Sequence, residues 1–467
     1  YLMIFRRFPI RGVLLIKAAT ALTVLSGCQS YRPTPLDLPS HSQRWRAVDL
    51  SSEEVRIFAD EIAKSRPDEG VTFDPIDGLS LPEGEIVGLV FNPDLRIARS
   101  QVGMVKATAE HAGRWNDPTF NLNVLKIAEG IPEPWFLGSG LSLTIPISGR
   151  LKAEKSRAEA ALGVEFDRVA EAEWMTRRNL RDAWVSWSAQ RLKLQQTEAI
   201  IHSLDSIIES TSRLVAAGEL PVTEARLFLI ERESRRAELD RLTAAVAEEK
   251  QWIVALLGLS PDASVNLIPS LSAVLPQSEE EAPDQSNPTL ARLKGEHEIA
   301  ERTLLTEIRK QYPDLTIGPQ AERDEGQSRI GFLGAIPVPI FNSNKQGIAE
   351  ARAAREVARA VFETEYQRIV GRIASVRARL KGIQSRQKAI NKTLVPLVDR
   401  QMTDASRLLE LGEGSSLVLL ESLVRAYEVK LKLIELLLER SQADNETRFL
   451  LGPDSLRTSP ATIDTTP

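Results

Sequence analysis

Asn92-Pro93-Asp94-Leu95 returns as Asn287-Pro288-Thr289-Leu290, 195 residues later, and this recurrence decides the fold. Pro118 and Pro313 are separated by the same 195 residues. Ile145-Pro146-Ile147 answers Val338-Pro339-Ile340, and Ala217-Gly218-Glu219 answers Leu411-Gly412-Glu413. Leu256-Leu257-Gly258 answers Leu450-Leu451-Gly452. A period of this size is far longer than a solenoid unit, which runs to about 50 residues. One segment has been doubled, with a first repeat at 89–258 and a second at 287–452.

Each copy has the same order of elements. Asn-Pro starts a helix, expected at Leu89–Ala112 and Thr289–Ile308, and each helix runs into a proline, Pro118 or Pro313. Strands follow at about 119–146 and about 314–338. Phe120, Leu122 and Val124 alternate with polar residues, and Leu137, Leu141, Leu143 and Ile145 alternate with Gly138, Gly140, Ser142 and Thr144. Leu315, Ile317 and Ala321 do the same in the second copy, and Ile330, Phe332, Ile336 and Val338 return. Each segment is near the ~9–11 residues that let a tilted strand cross a bilayer. Taken singly, each hairpin fits a soluble sheet equally well. Two matching hairpins, flanked by Trp115, Trp135, Phe136 and Tyr312, favour the membrane.

The period then changes to three and four. Arg150–Leu214 contains no proline, one isolated Gly163, and apolar positions such as Ala158, Leu162, Val169, Leu180 and Trp184 at helical spacing. Lys345–Leu411 repeats the pattern, with Pro396 expected to kink it. Return helices are expected at Val222–Leu257 and Ser415–Leu451, giving long helices at about 150–257 and about 345–451. Their alanine-rich seams are those of coiled coils. Departures between the copies, Pro221 against Ser415 and Gly163 against an unbroken partner helix, mark where asymmetry is expected.

Outside the repeats the chain reads differently. Arg6, Arg7 and Arg11 precede an apolar run from Val13 to Leu25, as in a secretion signal spanning 1–27. Leu25-Ser26-Gly27-Cys28 resembles a bacterial lipobox, so Cys28, the only cysteine, is the expected lipidation site. Residues 28–88 read as an extended tether with one short helix near Glu53–Lys64, 259–286 as a linker, and 453–467 as a disordered tail. No segment after the signal is long and apolar enough for a transmembrane helix. Any membrane crossing must use strands.

The net charge of −5 becomes −9 without Arg6, Arg7, Arg11 and Lys17, the four charges of the signal, which argues against nucleic acid as partner. Catalytic and cofactor signatures are missing. His41, His111, His202 and His297 are scattered, and a single cysteine excludes a cysteine-based metal site. The expectation is no enzyme, no cofactor and no metal site.

Two features carry functional weight. The turns containing Gly218 and Glu219 and containing Gly412 and Glu413 cap helices, and they lie at the far ends of ~90 Å rods where a partner protein could grip them. Asp399, Arg400, Asp404 and Arg407 stand just before Gly412. As solvated helix charges they need no further role. As a candidate gate, Asp399, Asp404 and Arg407 of symmetry copies would constrict a channel and favour cations.

In its ordered features the sequence resembles the TolC family of outer-membrane efflux and secretion factors over about residues 89–452. The resemblance rests on the paired Asn-Pro-x-Leu starts, the proline-preceded strands, the strand ends at Ile145-Pro146-Ile147 and Val338-Pro339-Ile340-Phe341, and hairpins turning at Gly218 and Gly412. It implies a mainly α fold with a membrane β-barrel, each repeat supplying a β-hairpin and a long coiled-coil helical hairpin. It further implies a homotrimeric α/β-barrel tube of twelve strands, anchored by lipid in the outer membrane and extending into the periplasm. There a periplasmic adaptor and an inner-membrane pump are the implied partners, in a tripartite system for which the tube is a passive export duct. Gly218-Glu219-Leu220 is somewhat similar to the cobalt–zinc–cadmium efflux factors. The competing expectation is a lipid-anchored periplasmic coiled-coil scaffold or adaptor that never spans the membrane.

Overall fold

The computed structural model describes residues 30–65, 73–126, 128, 130, 135–271, 287–324, 326–411 and 415–453. The expected signal, Cys28, Gly412, Glu413 and the tail beyond residue 453 lie outside the described residues, as does the linker from 272 onward. The chain divides into two compact units, 1–48 and 49–467. The first contains helix α1 (Leu38–Arg46), whose start is held by Asp37 accepting from the Ser40 amide at 3.1 Å and the Ser40 hydroxyl at 2.5 Å.

The second unit opens with α2 (Glu53–Ser65), α3 (Leu81–Phe91) and α4 (Pro93–His111). In the described part of the expected tether the helix expected near Glu53–Lys64 is α2, while α1 and α3 are further helices, and the expected single helix Leu89–Ala112 is two. An extended tether would leave its acids in water, yet Glu83 and Glu85 are buried. Glu83 closes a capping box, accepting from the Ser80 amide and hydroxyl at 2.9 and 2.5 Å and from the Asp74 amide at 2.8 Å. Glu85 pairs with Arg181. Both carboxylates have traded water for fixed donors, which is what makes their burial tolerable.

Strands β1 (Thr119–Lys126) and β2 (Trp135–Ile145) come next, followed by α5 (Arg150–Ala216) and α6 (Val222–Leu256). The second copy supplies α7 (Pro288–Arg309), β3 (Leu315–Asp324), β4 (Gln327–Ala335) and α8 (Lys345–Ala389). A π-helical turn (Ile390–Leu394), α9 (Val395–Glu410) and α10 (Ser416–Leu451) complete it. At ~1.5 Å per residue the 67 residues of α5 reach roughly 100 Å. It packs against α4, α6, α7 and α10, so it is the spine on which both repeats assemble. Gly163 leaves α5 unbroken; the interruption falls in the second copy, at the π turn just before Pro396. The proline ring would collide with the Lys392 carbonyl in an ordinary α-turn, and the wider turn relieves that collision.

The Asn-Pro motifs do the same work twice. Asn92 Oδ1 accepts from the amides of Asp94 and Leu95 at 3.0 and 3.3 Å, and its Nδ2 donates to the Leu256 carbonyl at 2.9 Å. Asn287 Oδ1 accepts from Thr289 and Leu290 at 2.9 and 3.2 Å, and its Nδ2 donates to the Leu450 carbonyl at 2.8 Å. One side chain thus caps the first helix of a repeat and clasps the end of its last. Proline at the first helical position fits because its missing N–H would be unpaired there anyway.

The packing of α8 on α10 follows a seven-residue period. Ile369, Val376, Ile383 and Ile390 are buried at every seventh position, against Leu436, Ala443 and Leu450 at the same interval. Flanking this seam, Arg372 and Arg379 both pair with Glu446, and Arg386 pairs with Glu439. Tyr427 ties α10 to the first repeat, its hydroxyl 2.9 Å from Thr197 Oγ1.

The described part of the expected linker is packed structure. Leu79 and residues 266–268 form a parallel bridge, with the Leu79 amide donating to Asn266 O at 2.7 Å. Trp184 Nε1 donates to Ile268 O at 3.0 Å, the Ser270 amide to Ser188 Oγ at 2.9 Å, and Ser441 Oγ to Leu271 O at 2.9 Å. This strap leads from α5 of the first repeat to α10 of the second.

Candidate functional site

Four strands form one antiparallel sheet in the order β1-β2-β3-β4, so the hairpins of the two repeats join through β2 and β3. Residues paired across an antiparallel ladder share a face. On one face Phe120 meets Leu141, Val124 meets Leu137, Leu143 meets Ile317, and Ala321 meets Ile330. On the other, Asn121 meets Gly140, Thr144 meets Thr316, Gln320 meets Gly331, and Glu322 meets Arg329. Leu125, Phe136 and Leu333 are apolar exceptions on the polar face, and Ser139, Arg323 and Ser328 are polar exceptions on the apolar one. The faces are those read from the alternation in sequence. The return strand differs, because β4 ends at Ala335 and leaves Ile336 and Val338 outside it. Pro337 and Pro339 lack the amide donors that a longer ladder needs.

Among the described residues nothing covers this sheet's apolar face. No residue of β1 or β4 is buried, and Ile330 is 89% exposed. Both outer strands are therefore unpaired edges, and a water-soluble protein would not leave so large an apolar face open. The polar face is joined by side-chain bonds between Thr144 and Thr316 at 3.1 Å and from Asn121 to Ser142 at 3.4 Å. β2 and β3 approach closely at Gly318, where a β-carbon would sit 1.7 Å from the Leu141 carbonyl oxygen. Only glycine fits there.

At the other end of the helices, Gly218 closes α5 in the left-handed conformation, φ 77°. The Glu219 amide donates to Leu214 O at 2.9 Å and the Gly218 amide to Val215 O at 3.0 Å, a Schellman ending. Gly218 and Glu219 are exposed. A contact not legible in sequence joins the two tips: Ser416 Oγ donates to Glu224 Oε2 at 2.5 Å. No spacing rule could have found it, since the two residues stand in different repeats.

Asp399, Asp404 and Arg407 are all exposed on α9. Asp404 and Arg407, with Arg400, share one face, whereas Asp399 is turned roughly 140° from Asp404, being five residues away. The helix brings three of the four charges together and sends Asp399 to the opposite flank. A different acid was missed entirely. Asp444 on α10 is 3% exposed, neither carboxylate oxygen has a hydrogen-bond partner, and Arg440 Nε is 3.7 Å away. Burial pushes its carboxyl above the usual range, and Arg440 opposes that only in part.

Among the described residues no helix is long and apolar enough to cross a membrane, and no group of three or more His, Cys, Asp or Glu could hold a metal. No family model matches the chain. Solved structures define the class: this is the TolC-type fold of outer-membrane channels. The outer-membrane channel OprN superimposes with a TM-score of 0.70 at 14% identity, covering 92% of this chain and 99% of that one. CusC gives 0.68 at 16%, covering 80% and 92%, and the outer membrane protein VceC from Vibrio cholerae gives 0.67 at 16%, covering 80% and 96%. In sequence the chain is similar to the cobalt-zinc-cadmium resistance protein CzcC of Cupriavidus metallidurans, 23% identical over 320 residues, which are 67% of this chain and 76% of that protein.

Proposed function

We propose that this chain is one protomer of an outer-membrane duct, the exit channel of a tripartite efflux system. The observation that carries the reading is the four-stranded sheet with an uncovered apolar face and two unpaired edges. Lipid solvates the apolar face, and β1 of one copy pairs with β4 of the next. Three copies then close a twelve-stranded barrel with the polar face as lumen, which abolishes every edge. The long helices continue the tube into the periplasm.

In this reading Cys28 carries the lipid anchor, and the turns at Gly218, Glu219, Gly412 and Glu413 meet a periplasmic adaptor that links the duct to an inner-membrane pump. Asp404 and Arg407, with Asp399 on the other flank, stand near the periplasmic end as the candidate gate. Similarity to CzcC favours a metal-ion exporter over a drug exporter. The duct conducts passively and catalyses no reaction.

The full-length protein is tested in outer-membrane fractions and planar bilayers. The expected result is a heat-modifiable trimer that resists alkaline extraction and conducts ions, with Asp404→Ala altering conductance or cation preference. Extraction by alkali, or a trimer that fails to conduct, would instead identify a lipid-anchored periplasmic scaffold.

A further inference from the structure

The π turn does more than accommodate Pro396. Before it, the seam of α8 facing α10 holds Ile369, Val376, Ile383 and Ile390, with Ile373, Leu380 and Gln387 beside them at the same seven-residue interval. Continued without interruption, that period places Leu397, Asp404 and Leu411 in the seam, flanked by Leu394, Gln401 and Leu408. The structure has advanced both series by one residue. Val398 and Ala405 occupy the first, and Val395, Met402 and Leu409 the second; all five are buried or half-buried. The extra residue is visible in the backbone, where the Val395 amide bonds to the Ile390 carbonyl five positions back.

Consequently four leucines stand where solvent reaches them: Leu394, Leu397, Leu408 and Leu411, exposed by 36%, 55%, 45% and 64%. They are the residues that the uninterrupted period would bury. Beside them runs a groove of ≈ 540 Å³ between α9 and α10, lined in part by Leu397, Leu417 and Val418. Two opposing effects hold the balance. The present register keeps the Asp404 carboxylate in water but exposes four large apolar side chains. The other buries the leucines and takes an acid and an amide, Asp404 and Gln401, into the seam.

We infer that α9 is a two-register helix, in which loss of the π turn rotates it about 100° on its axis and exchanges the Val398/Ala405 seam for a Leu397/Asp404/Leu411 seam. The rotation carries Asp404 from the open face of the hairpin into its interior. The inference concerns this helix and goes beyond the channel reading without resting on it.

Single-cysteine variants at positions 397, 398, 404 and 405 test it in the full-length chain, in outer-membrane vesicles. Maleimide labelling is quantified at each site by peptide mass spectrometry, which separates it from Cys28. In the otherwise unchanged chain, positions 397 and 404 label while 398 and 405 are protected. Deleting Thr393 puts Val398 and Ala405 seven and fourteen residues after Ile390, so that variant keeps this pattern with no π turn. Pro396→Ala, which keeps the chain length, moves the ratio of labelling at 405 to that at 404 upward by about tenfold, the effect of about 1.4 kcal/mol on a two-state balance. If the deletion does not assemble, the proline substitution decides alone. A ratio that Pro396→Ala leaves unmoved overturns the device, as does a reversed pattern in the deletion or protection of 397 and 404 at the outset.

Discussion

Ser416 Oγ donates to Glu224 Oε2 across 2.5 Å, joining the first turn of α10 to the first turn of α6 although the residues are 192 positions apart. The serine is 3% exposed, so its hydroxyl has no water to fall back on. The two helical hairpins are thereby held side by side at the end where Gly218 turns the chain. Ser416→Ala is expected to cost about 1–2 kcal/mol locally. Amide exchange should quicken in 222–228 and 415–423 and stay unchanged in 436–450. Unaltered exchange at both tips would show that the bond holds nothing together.

Asn287→Asp keeps the acceptor that caps α7 but replaces the donor to Leu450 O with a carboxylate oxygen. Since Asn287 is buried, the carbonyl loses its partner and faces a negative charge. A loss of about 2–3 kcal/mol is expected in urea unfolding. Asn287→Ala should fall within or slightly below that range through the lost cap. An isostable Asp variant would mean that the clasp is dispensable.

Gly318→Ala forces a β-carbon into the Leu141 carbonyl, and both groups belong to backbone that cannot swing aside. β2 and β3 must part, so the heat-modifiable trimer expected of the proposed duct should be lost or strongly reduced on gels. Gly334→Ala is the control, because nothing lies within 4 Å of a β-carbon there. Equal assembly of the two variants would contradict the close approach.

Asp444 supplies a pH dependence whose sign follows from burial. Its carboxyl is raised in the folded chain above the ordinary value of 3.8. The unfolded chain therefore gives up this proton first as pH rises through that value. Folding stability is lost progressively from there up to the raised folded value and does not recover above it. Asp444→Asn should raise the thermal midpoint at pH 7, with the advantage vanishing below about pH 3.8. A pH-independent difference would assign the effect to shape alone.

How far the sequence could be read depended on whether its signals were periodic. The duplication located the two Asn-Pro helix starts, and alternation sorted Phe120 from Asn121 and Leu143 from Thr144 onto the faces they occupy. Helical spacing found α5 at nearly its full length. Helix α3 was hidden in what reads as a tether, since composition cannot tell a solvated glutamate from one that caps a helix, as Glu83 does. The strap at 266–271 has no periodic pattern, being held by isolated bonds from Trp184, Ser188 and Ser441. Pro396 did announce an irregularity. That it takes the form of a one-residue register shift could be seen only by following the sevenfold period through it. The tip bond between Ser416 and Glu224 and the buried Asp444 depend on tertiary juxtaposition alone.

The paired clasps also bear on how the chain is made. Asn92 waits for Leu256 and Asn287 for Leu450, partners that emerge 164 and 163 residues later but always within the same repeat. Contacts so distant along the chain make each half slow to finish, and leave its early helix without its clasp partner until the late one arrives. Yet neither clasp reaches across the duplication. The first half can latch shut while the second is still being delivered, so a polypeptide this long matures in two separate closures rather than one.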